Sequence, residues 1–257
     1  MTTPGKRTGL GHALYADGVV LSGDINSVGT ISGGNTPIDQ TAINQLAMDR
    51  TGGLRDGLME IVSYLNDAGA GTAHTKFAAL ATGNETLSYC AGTSLGDPVA
   101  CLVAKQANYD AARTQDGGLL FNTQAQGSGY GLEWCELLTA GTRVDTAATN
   151  GTSVDFAAAT SFGLQAFLQV VGFTGTDATV KLQQSSDNGV GDAWADVVGG
   201  GFVAVTTAPG VQRIQTARNL AVERYLRVVT TTSAGFTNLQ FMVAVAKNAP
   251  LTTFAAA

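Results

Sequence analysis

Apolar and polar side chains alternate with a period of two in residues 97–128, on both sides of a turn-forming segment. The turn is Asp116-Gly117-Gly118, and such a turn between two alternating runs predicts a β-hairpin. A period of two places successive side chains on opposite faces of a sheet. The second run therefore has a dry face and a wet face: Leu119, Phe121, Thr123 and Ala125 against Leu120, Asn122, Gln124 and Gln126.

The wet face of this predicted hairpin is rich in neutral amides. In the first run Val99, Cys101 and Val103 share the dry face, while Gln106 and Asn108 are predicted on the other. One interpretation is a sandwich strand that faces ordinary solvent, and the other is a sheet that lines an aqueous channel. The candidates for such a lining are Gln106, Asn108, Asn122, Gln124 and Gln126.

The chain before this hairpin predicts fewer strands. Residues 13–21 predict two short strands around the Asp17-Gly18 turn, and residues 22–37 predict a polar, glycine-rich loop. Residues 43–47 predict a helical turn, and residues 58–65 predict an apolar strand.

After the hairpin the composition changes at residues 144–153, a small, polar, turn-forming stretch that predicts a domain connection. We expect two β domains, residues 1–145 and residues 150–257. Strand runs that recur with turns between them predict a sandwich or jelly roll for the second. Its S-S-D-N-G loop before Trp194 and its E-R-Y-L-R-V-V strand resemble small carbohydrate-binding modules of the Ig/discoidin-like kind. Its predicted strands are residues 162–173, 179–185, 202–206, 211–216, 225–231 and 236–245.

Composition supports a mainly β chain with a sizeable core. Of 257 residues, 13% are charged, 44% are hydrophobic and 33 are glycine, which is typical of short turns rather than of helical bundles or disorder. No apolar run approaches the roughly 18 residues of a membrane helix, and residues 1–14 lack the apolar core of a signal peptide. We therefore expect folding in a cytosol, without membrane insertion.

The charge distribution argues against a nucleic-acid-binding surface, which needs clustered Lys and Arg. Residues 1–145 hold 8 basic and 14 acidic side chains, which gives 8 − 14 = −6. Residues 146–257 hold 6 of each, which gives 0. All of the net charge therefore belongs to the first part of the chain.

The sequence shows no pattern for catalysis, for a metal or for a cofactor. Its three cysteines have no C-x-x-C spacing, so we expect buried thiols without disulfide or zinc. His12 and His74 have no carboxylate or cysteine pattern beside them, and Gly127-Ser128-Gly129 is too short for a nucleophile elbow. Two weaker candidates are a Ca²⁺ loop and a sugar-binding platform, for which a polar turn and core aromatics with a surface Arg are the favoured interpretations. Their residues are Asp187, Asn188 and Asp192 for the loop, and Trp194, Tyr225 and Arg227 for the platform.

A family resemblance begins in residues 37–65, PIDQTAINQLAMDRTGGLRDGLMEIVSYL. This segment resembles the D-x-T…R…G-L-x-D-G strand-loop-strand segment of the major tail proteins, or tail tube proteins, of long-tailed phages. Residues 74–80 stand where that family has its short helix, and residues 87–127 match its strand, turn and long hairpin. The likeness is greatest to tail proteins of actinobacterial phages and extends along the whole chain. The matching residues of the first segment are Asp39, Thr41, Arg50, Gly53, Leu54, Asp56 and Gly57.

The resemblance implies a tail-tube β-sandwich or barrel with one short helix in residues 1–145, and a second sandwich outside the tube. It implies homo-oligomeric rings, hexamers favoured and trimers possible, that stack into the channel for phage DNA. DNA would pass without specific binding, and the other partners would be the tape measure, tail terminator and tail tip proteins. The expected location is the virion, after assembly in the host cytoplasm. Residues 36–57 would bridge stacked rings, with Asp39, Thr41, Asn44, Asp49, Arg50, Arg55 and Asp56 as candidates.

Two other functions compete with this one. In the first, residues 150–257 form a glycan- or host-binding module on the virion surface, and the first part only anchors it. In the second, the chain is a hydrolase of unrecognised type. Only the tube predicts rings or polymers of uniform bore, and only the first alternative predicts binding to a glycan array.

Overall fold

The computed structural model describes residues 8–249 and is mainly β with one short helix, as the sequence predicts. The elements of the first half are β1 (Ala13–Ala16), β2 (Val19–Val20), β3 (Ile25–Asp39), β4 (Arg50–Tyr64), α1 (Ala73–Phe77), β5 (Glu85–Cys90), β6 (Pro98–Arg113) and β7 (Leu119–Gly127). Those of the second half are β8 (Glu133–Leu137), β9 (Arg143–Asp145), β10 (Val154–Asp155), β11 (Leu164–Gly175), β12 (Thr179–Ser185), β13 (Ala195–Gly201), β14 (Gly210–Gln215), β15 (Tyr225–Thr231) and β16 (Phe236–Lys247).

The described residues form two compact units. One, called here the arm unit, comprises residues 20–88 and 100–133. The other, called here the sandwich unit, comprises residues 8–19, 89–99 and 134–249. Each unit is drawn from separate stretches of the chain, and the predicted linear domains, 1–145 and 150–257, stay a prediction for independent folding.

The arm unit is built on four antiparallel strands in the order β3, β4, β7, β6. Strand β3 occupies most of the stretch that the sequence predicts as a loop, so that prediction is wrong. Its half-buried residues are Ile25, Val28 and Ile31, three apart rather than two, because the register shifts between them. Bulges of this kind hide the alternation by which a strand is recognised. The predicted helical turn is also absent, since residues 43–47 form only turns and bends.

One face of this sheet is covered by the predicted short helix. Helix α1 starts after Thr72, whose hydroxyl accepts a 3.3 Å hydrogen bond from the Thr75 N–H. On the sheet the ring of Tyr109 stacks on that of Phe121 with centroids 4.6 Å apart, and His74 Nδ1 lies 3.0 Å from the Tyr109 hydroxyl. Aromatic packing thus closes the inner face of the arm unit.

The sandwich unit has two facing sheets around one apolar core. Strand β11 lies between β14 and β16, and the second sheet has the order β10, β15, β12, β13. The predicted strands 179–185 and 225–231 are confirmed to the residue, whereas the predicted strand 202–206 is replaced by β13 a few residues earlier. The buried core includes Leu168, Leu182, Leu226, Val228 and Phe241.

Residues 144–153, which the sequence predicts as the domain connection, are paired with the sandwich unit. The backbones of Thr149 and Thr230 exchange two hydrogen bonds of 3.2 and 3.0 Å. Arg143 forms two hydrogen bonds, of 2.8 and 2.7 Å, with the carboxylate of Asp145. The Asp145 side chain is almost fully buried and also accepts from the Thr230 hydroxyl. Small polar residues here serve tight long-range pairing rather than flexibility.

Candidate assembly surfaces

The outer face of the arm-unit sheet carries four of the five predicted amides. Strand β7 is buried at Thr123 and Ala125, which turn to the inner face, and this confirms the predicted alternation. Gln124 lies opposite Glu60 on β4 and opposite Asn108 on β6, and directly opposed residues share a face. Asn108, Asn122, Gln124 and Gln126 therefore form one polar surface, called here the amide face.

Gln106 does not belong to the amide face, and its predicted position is wrong. The register shifts between Gln106 and Asn108, so that Ala107 is an extra residue on β6. Because one extra residue reverses the alternation, Gln106 lies opposite the buried Ala125 on the inner face. Its side-chain amide donates a 2.8 Å hydrogen bond to the Phe77 carbonyl at the end of α1.

Two carboxylates join the amides on this face. Glu60 lies at its centre and accepts a 3.3 Å hydrogen bond from the Gln124 amide, while Asp110 lies opposite Asn122 and accepts a 2.6 Å bond from Asn108. Hydrogen bonds from Thr30 and then from Gln124 lower the pKa of Glu60, which keeps it ionised at neutral pH. Lys105 lies opposite Gln126 at one end of the same face, and its ammonium group donates to the Thr82 carbonyl. Around Glu60 and Asp110 the face is acidic, which disfavours phosphate binding there.

Strands β3 and β4 continue together as a long hairpin whose far part, residues 34–56, is called here the arm. Nearly every residue of the arm is exposed. At its tip Asp39 accepts bonds of 2.9 and 2.6 Å from the backbone and hydroxyl of Thr41, and these bonds lower its pKa. The Thr41 hydroxyl in turn accepts a 2.8 Å bond from the Asp49 N–H. This network gives the exposed tip a defined shape.

The candidates for the inter-ring contact divide between the two ends of the arm. Asp39, Thr41, Asn44, Asp49 and Arg50 are at the tip. Arg55 and Asp56 are at the root: the Arg55 guanidinium donates a 3.1 Å bond to the Leu132 carbonyl, and Asp56 Oδ1 accepts from the Gly57 N–H. The first group is therefore placed to contact another molecule at the tip, and the second group lies where the arm joins the sheet.

Large apolar side chains are exposed along the arm, a feature that the sequence analysis missed. Ile43 and Leu46 at the tip are fully exposed, at 107% and 106%. Ile38, Met48 and Leu54 are exposed at 50%, 64% and 86%. Several exposed large apolar side chains in one segment point to an interaction surface. The available signal was the apolar residues Ile43, Leu46 and Met48, which lie in or beside the segment predicted as a helical turn.

The four-stranded sheet of the arm unit has unpaired strand edges at both sides. On one side β3 pairs only with β4. On the other side the six-residue strand β5 pairs with the first part of β6. This pairing begins where the Ala91 N–H donates to the Pro98 carbonyl. Among the described residues no strand therefore lies beside residues 106–113 of β6 on the side away from β7. Unpaired edges are templates for pairing with another chain.

The candidates for chemistry are accounted for by structural contacts. His12 is bonded to the Tyr89 hydroxyl, as His74 is to Tyr109. Asp187 accepts from the backbone N–H groups of residues 190–192, which leaves the loop a self-contained turn. The described part of the chain contains no group of three or more possible metal ligands. Within residues 8–249 no helix is long and apolar enough to span a membrane, and the three cysteines are buried and form no disulfide.

The proposed sugar platform of the sandwich unit is occupied by its own side chains. The Arg227 guanidinium lies 4.4 Å from the centre of the Trp194 ring and donates to Gln183 at 3.0 and 2.7 Å. A Cβ added at Gly189 would lie 2.5 Å from the indole nitrogen of Trp194. Trp194 and Tyr225 are half-buried rather than core residues, and Trp194 holds the neighbouring loop.

Comparisons with known proteins give matches to solved structures, and two of these matches have low scores. No protein-family model and no curated protein matches the chain. Seven chains of solved structures match, among them SPP1 Dit (gp 19.1), described as a hub adsorption apparatus of phages that infect Gram-positive hosts. That match has 12% identity and a TM-score of 0.33 over 91% of this chain and 98% of that one. A match to the phage p2 baseplate in its activated conformation with Sr has 10% identity and a TM-score of 0.34, over 92% and 98%. Scores of this size do not establish a shared fold.

Proposed function

We propose that this protein is the tail tube subunit of a long-tailed phage, a structural protein that assembles with copies of itself. The observation that carries the proposal is the open sheet of the arm unit, with two unpaired edges, one bare polar face and an exposed apolar arm. The resemblance of residues 37–65 and 87–127 to tail tube proteins points the same way.

The strand order explains how copies would close into a ring. Each neighbouring pair in the order β3, β4, β7, β6 is antiparallel, so the two edge strands run in opposite directions. A copy placed by rotation about a ring axis brings its β3 antiparallel to the free part of β6. Ring closure removes both exposed edges. A hexamer is favoured and a trimer is possible, with stacked rings forming the tube.

The difference between the two faces of the sheet supports one orientation of the sheet in such a ring, with the amide face toward the lumen. The inner face is covered by α1 and the aromatic side chains, so only the amide face is free to line a lumen. With Glu60 and Asp110 beside the amides, this lining repels phosphates or leaves them unbound, as DNA passage requires. The apolar tip of the arm would then contact the next ring.

The lumen assignment is tested by changing Asn122 and Gln124 together to Lys in virions. Folding and ring closure should persist, because both side chains are on the outer face. The new cations should retain phosphates, so that DNA ejection slows at low salt and recovers at high salt. A matched control adds the same two charges to the sandwich unit by changing Gln215 and Asn219, both exposed, to Lys. Unchanged ejection at low salt would return the amide face to ordinary solvent.

A glycan-binding sandwich unit remains the second candidate function only through its β-sandwich architecture. The candidate platform at Trp194 is covered by Arg227. A glycan array with the purified protein tests this candidate, and binding that survives Trp194→Ala would place a site elsewhere on the sandwich unit.

A further inference from the structure

The arm leaves the sheet at a point where glycines replace the side chains of the inner face. Gly33 and Gly57 lie directly opposite each other on β3 and β4. They share the inner face with Met59, which is fully buried. Residues 127–132 cross the hairpin at this pair of glycines, and Leu132, 6% exposed, packs against both.

The crossing has no room for a side chain on either glycine. A Cβ at Gly33 would lie 2.4 Å from the Cβ of Leu132, and a Cβ at Gly57 would lie 2.7 Å from its backbone nitrogen. The same carbon on Gly57 would lie 2.6 Å from Leu102 Cδ1, inside the core. Distances below 3.0 Å require the crossing segment to move. A third glycine, Gly131, also keeps the crossing segment close, since its added Cβ would lie 2.9 Å from that of Arg55.

Hydrogen bonds at the root fix the hairpin to the crossing segment. The Leu132 N–H donates a 3.3 Å bond to the Asp56 carbonyl, and Arg55 donates a 3.1 Å bond to the Leu132 carbonyl. Beyond the root, the hydrogen bonds described for residues 35–54 stay within the arm. The direction of the arm therefore depends on the root alone.

We infer that Leu132 and the facing glycines Gly33 and Gly57 are positioning residues, which set the direction in which the arm extends toward its partner. The inference rests on the proposed function for the identity of that partner, a second copy of this chain. With a rise of about 3.3 Å per residue, the strand from Gly33 to Asp39 extends about 20 Å. Over that length a tilt of about 10° at the root moves the tip by roughly 3 Å. Such a displacement is enough to misplace the apolar side chains of the tip, because interface packing is as dense as a core.

The test measures the arm in the monomer, so that its result does not depend on assembly. Spin labels are placed on Asn44→Cys at the tip and Asn122→Cys on the sheet, and labelled protein is diluted with unlabelled protein. The wild-type root should give one narrow distance distribution. Gly33→Ala should shift or broaden it, because Leu132 must move. Gly29→Ala, on the same strand, should leave it unchanged, since its Cβ meets only Glu60 at 3.5 Å.

If Gly33→Ala fails to fold, a second variant, Leu132→Ala, tests the inference. It removes the packing at the crossing and should broaden the same distribution. Both variants should raise the protein concentration needed for polymerisation several-fold, while Gly29→Ala polymerises as wild type does. A folded Gly33→Ala or Leu132→Ala protein with the wild-type distance distribution would overturn the inference. A wild-type protein with a fixed arm that never polymerises would instead overturn the proposed function.

Discussion

The two units of this protein are both built from antiparallel strands, but they differ in how much of each sheet is covered. The sandwich unit faces one sheet with another and buries Leu168, Leu226 and Phe241 between them. The arm unit covers only one face of its sheet, leaves two edges unpaired and exposes large apolar side chains along the arm. In a sandwich each sheet buries its apolar face against the other sheet, whereas an open sheet keeps strand edges that can pair with another molecule. Under the proposed function, the first unit supplies stability and the second unit supplies the assembly surface.

The largest effect on assembly is expected from changes at the tip of the arm. Changing Ile43, Leu46 and Met48 to Ser should abolish polymerisation and leave soluble, folded protein, because the tip loses its apolar contact surface while its backbone is retained. Deleting residues 44–50 should have the same result. Sedimentation velocity measures polymerisation, and circular dichroism measures the fold.

The matched control for this change lies in the sandwich unit. Val198 and Val203 are exposed at 73% and 76%, and changing both to Ser should leave polymerisation at the wild-type level. Polymers formed by the tip variant as readily as by wild type would contradict the assignment of the arm. Loss of polymerisation in the valine variant would extend the assembly surface to the sandwich unit.

A second prediction separates the two faces of the arm-unit sheet at adjacent residues. Phe121→Ser should destabilise the protein by about 3 kcal/mol, because it removes the ring stacked on Tyr109 and places a hydroxyl in its position. Asn122→Ser, on the amide face, should change the free energy of unfolding by less than about 0.5 kcal/mol. Urea denaturation measures both, and equal effects would mean that both faces of the strand are buried or both are wet.

The smallest predicted effect is a pH dependence that belongs to the sandwich unit. Burial lowers the pKa of Lys247 to about 8, although the charge of Glu136 opposes the shift. Between pH 8 and the ordinary pKa of 10.5 the unfolded chain binds a proton that the folded chain lacks, so stability rises with pH in this window. The full shift would give a rise of about 2 kcal/mol from pH 8 to pH 10, and because Lys247 is only half-buried, solvent screening should reduce the rise to roughly 1 kcal/mol.

Tryptophan fluorescence during urea denaturation reports this change, since Trp134 and Trp194 both belong to the sandwich unit. Lys247→Met should lack the rise, and the difference between the two proteins removes the contribution of other titrating groups. An equal rise in both proteins would assign the pH dependence to groups other than Lys247.

Local patterns predicted much of this fold, and features made by distant residues limited the rest. The alternation of residues 119–126 and the bounds of β12 and β15 follow from period-two patterns and nearby turns. The bulge at Ala107 moved Gln106 to the inner face, and no local pattern indicates where a single extra residue enters a strand. Bulges hid β3 in the same way.

Long-range pairing explains the other differences. Residues 144–153 have the composition of a linker, yet the Arg143–Asp145 pair and the bonds to Thr230 fix them in place. Of the candidate site, the amides were predictable because they alternate along a single strand. The positions of Glu60 and Asp110 beside them depend on the registers of two further strands. The glycine crossing likewise depends on a segment about a hundred residues from Gly33.

The central claim is that copies of this chain complete the open sheet of the arm unit by forming a ring. Electron microscopy of the purified full-length protein, over a range of concentrations, tests it most directly. The account predicts rings or stacked tubes with a single bore, whose wall is a continuous sheet with the amide face inward. Particles that remain monomeric at every concentration, or polymers without a central channel, would contradict it.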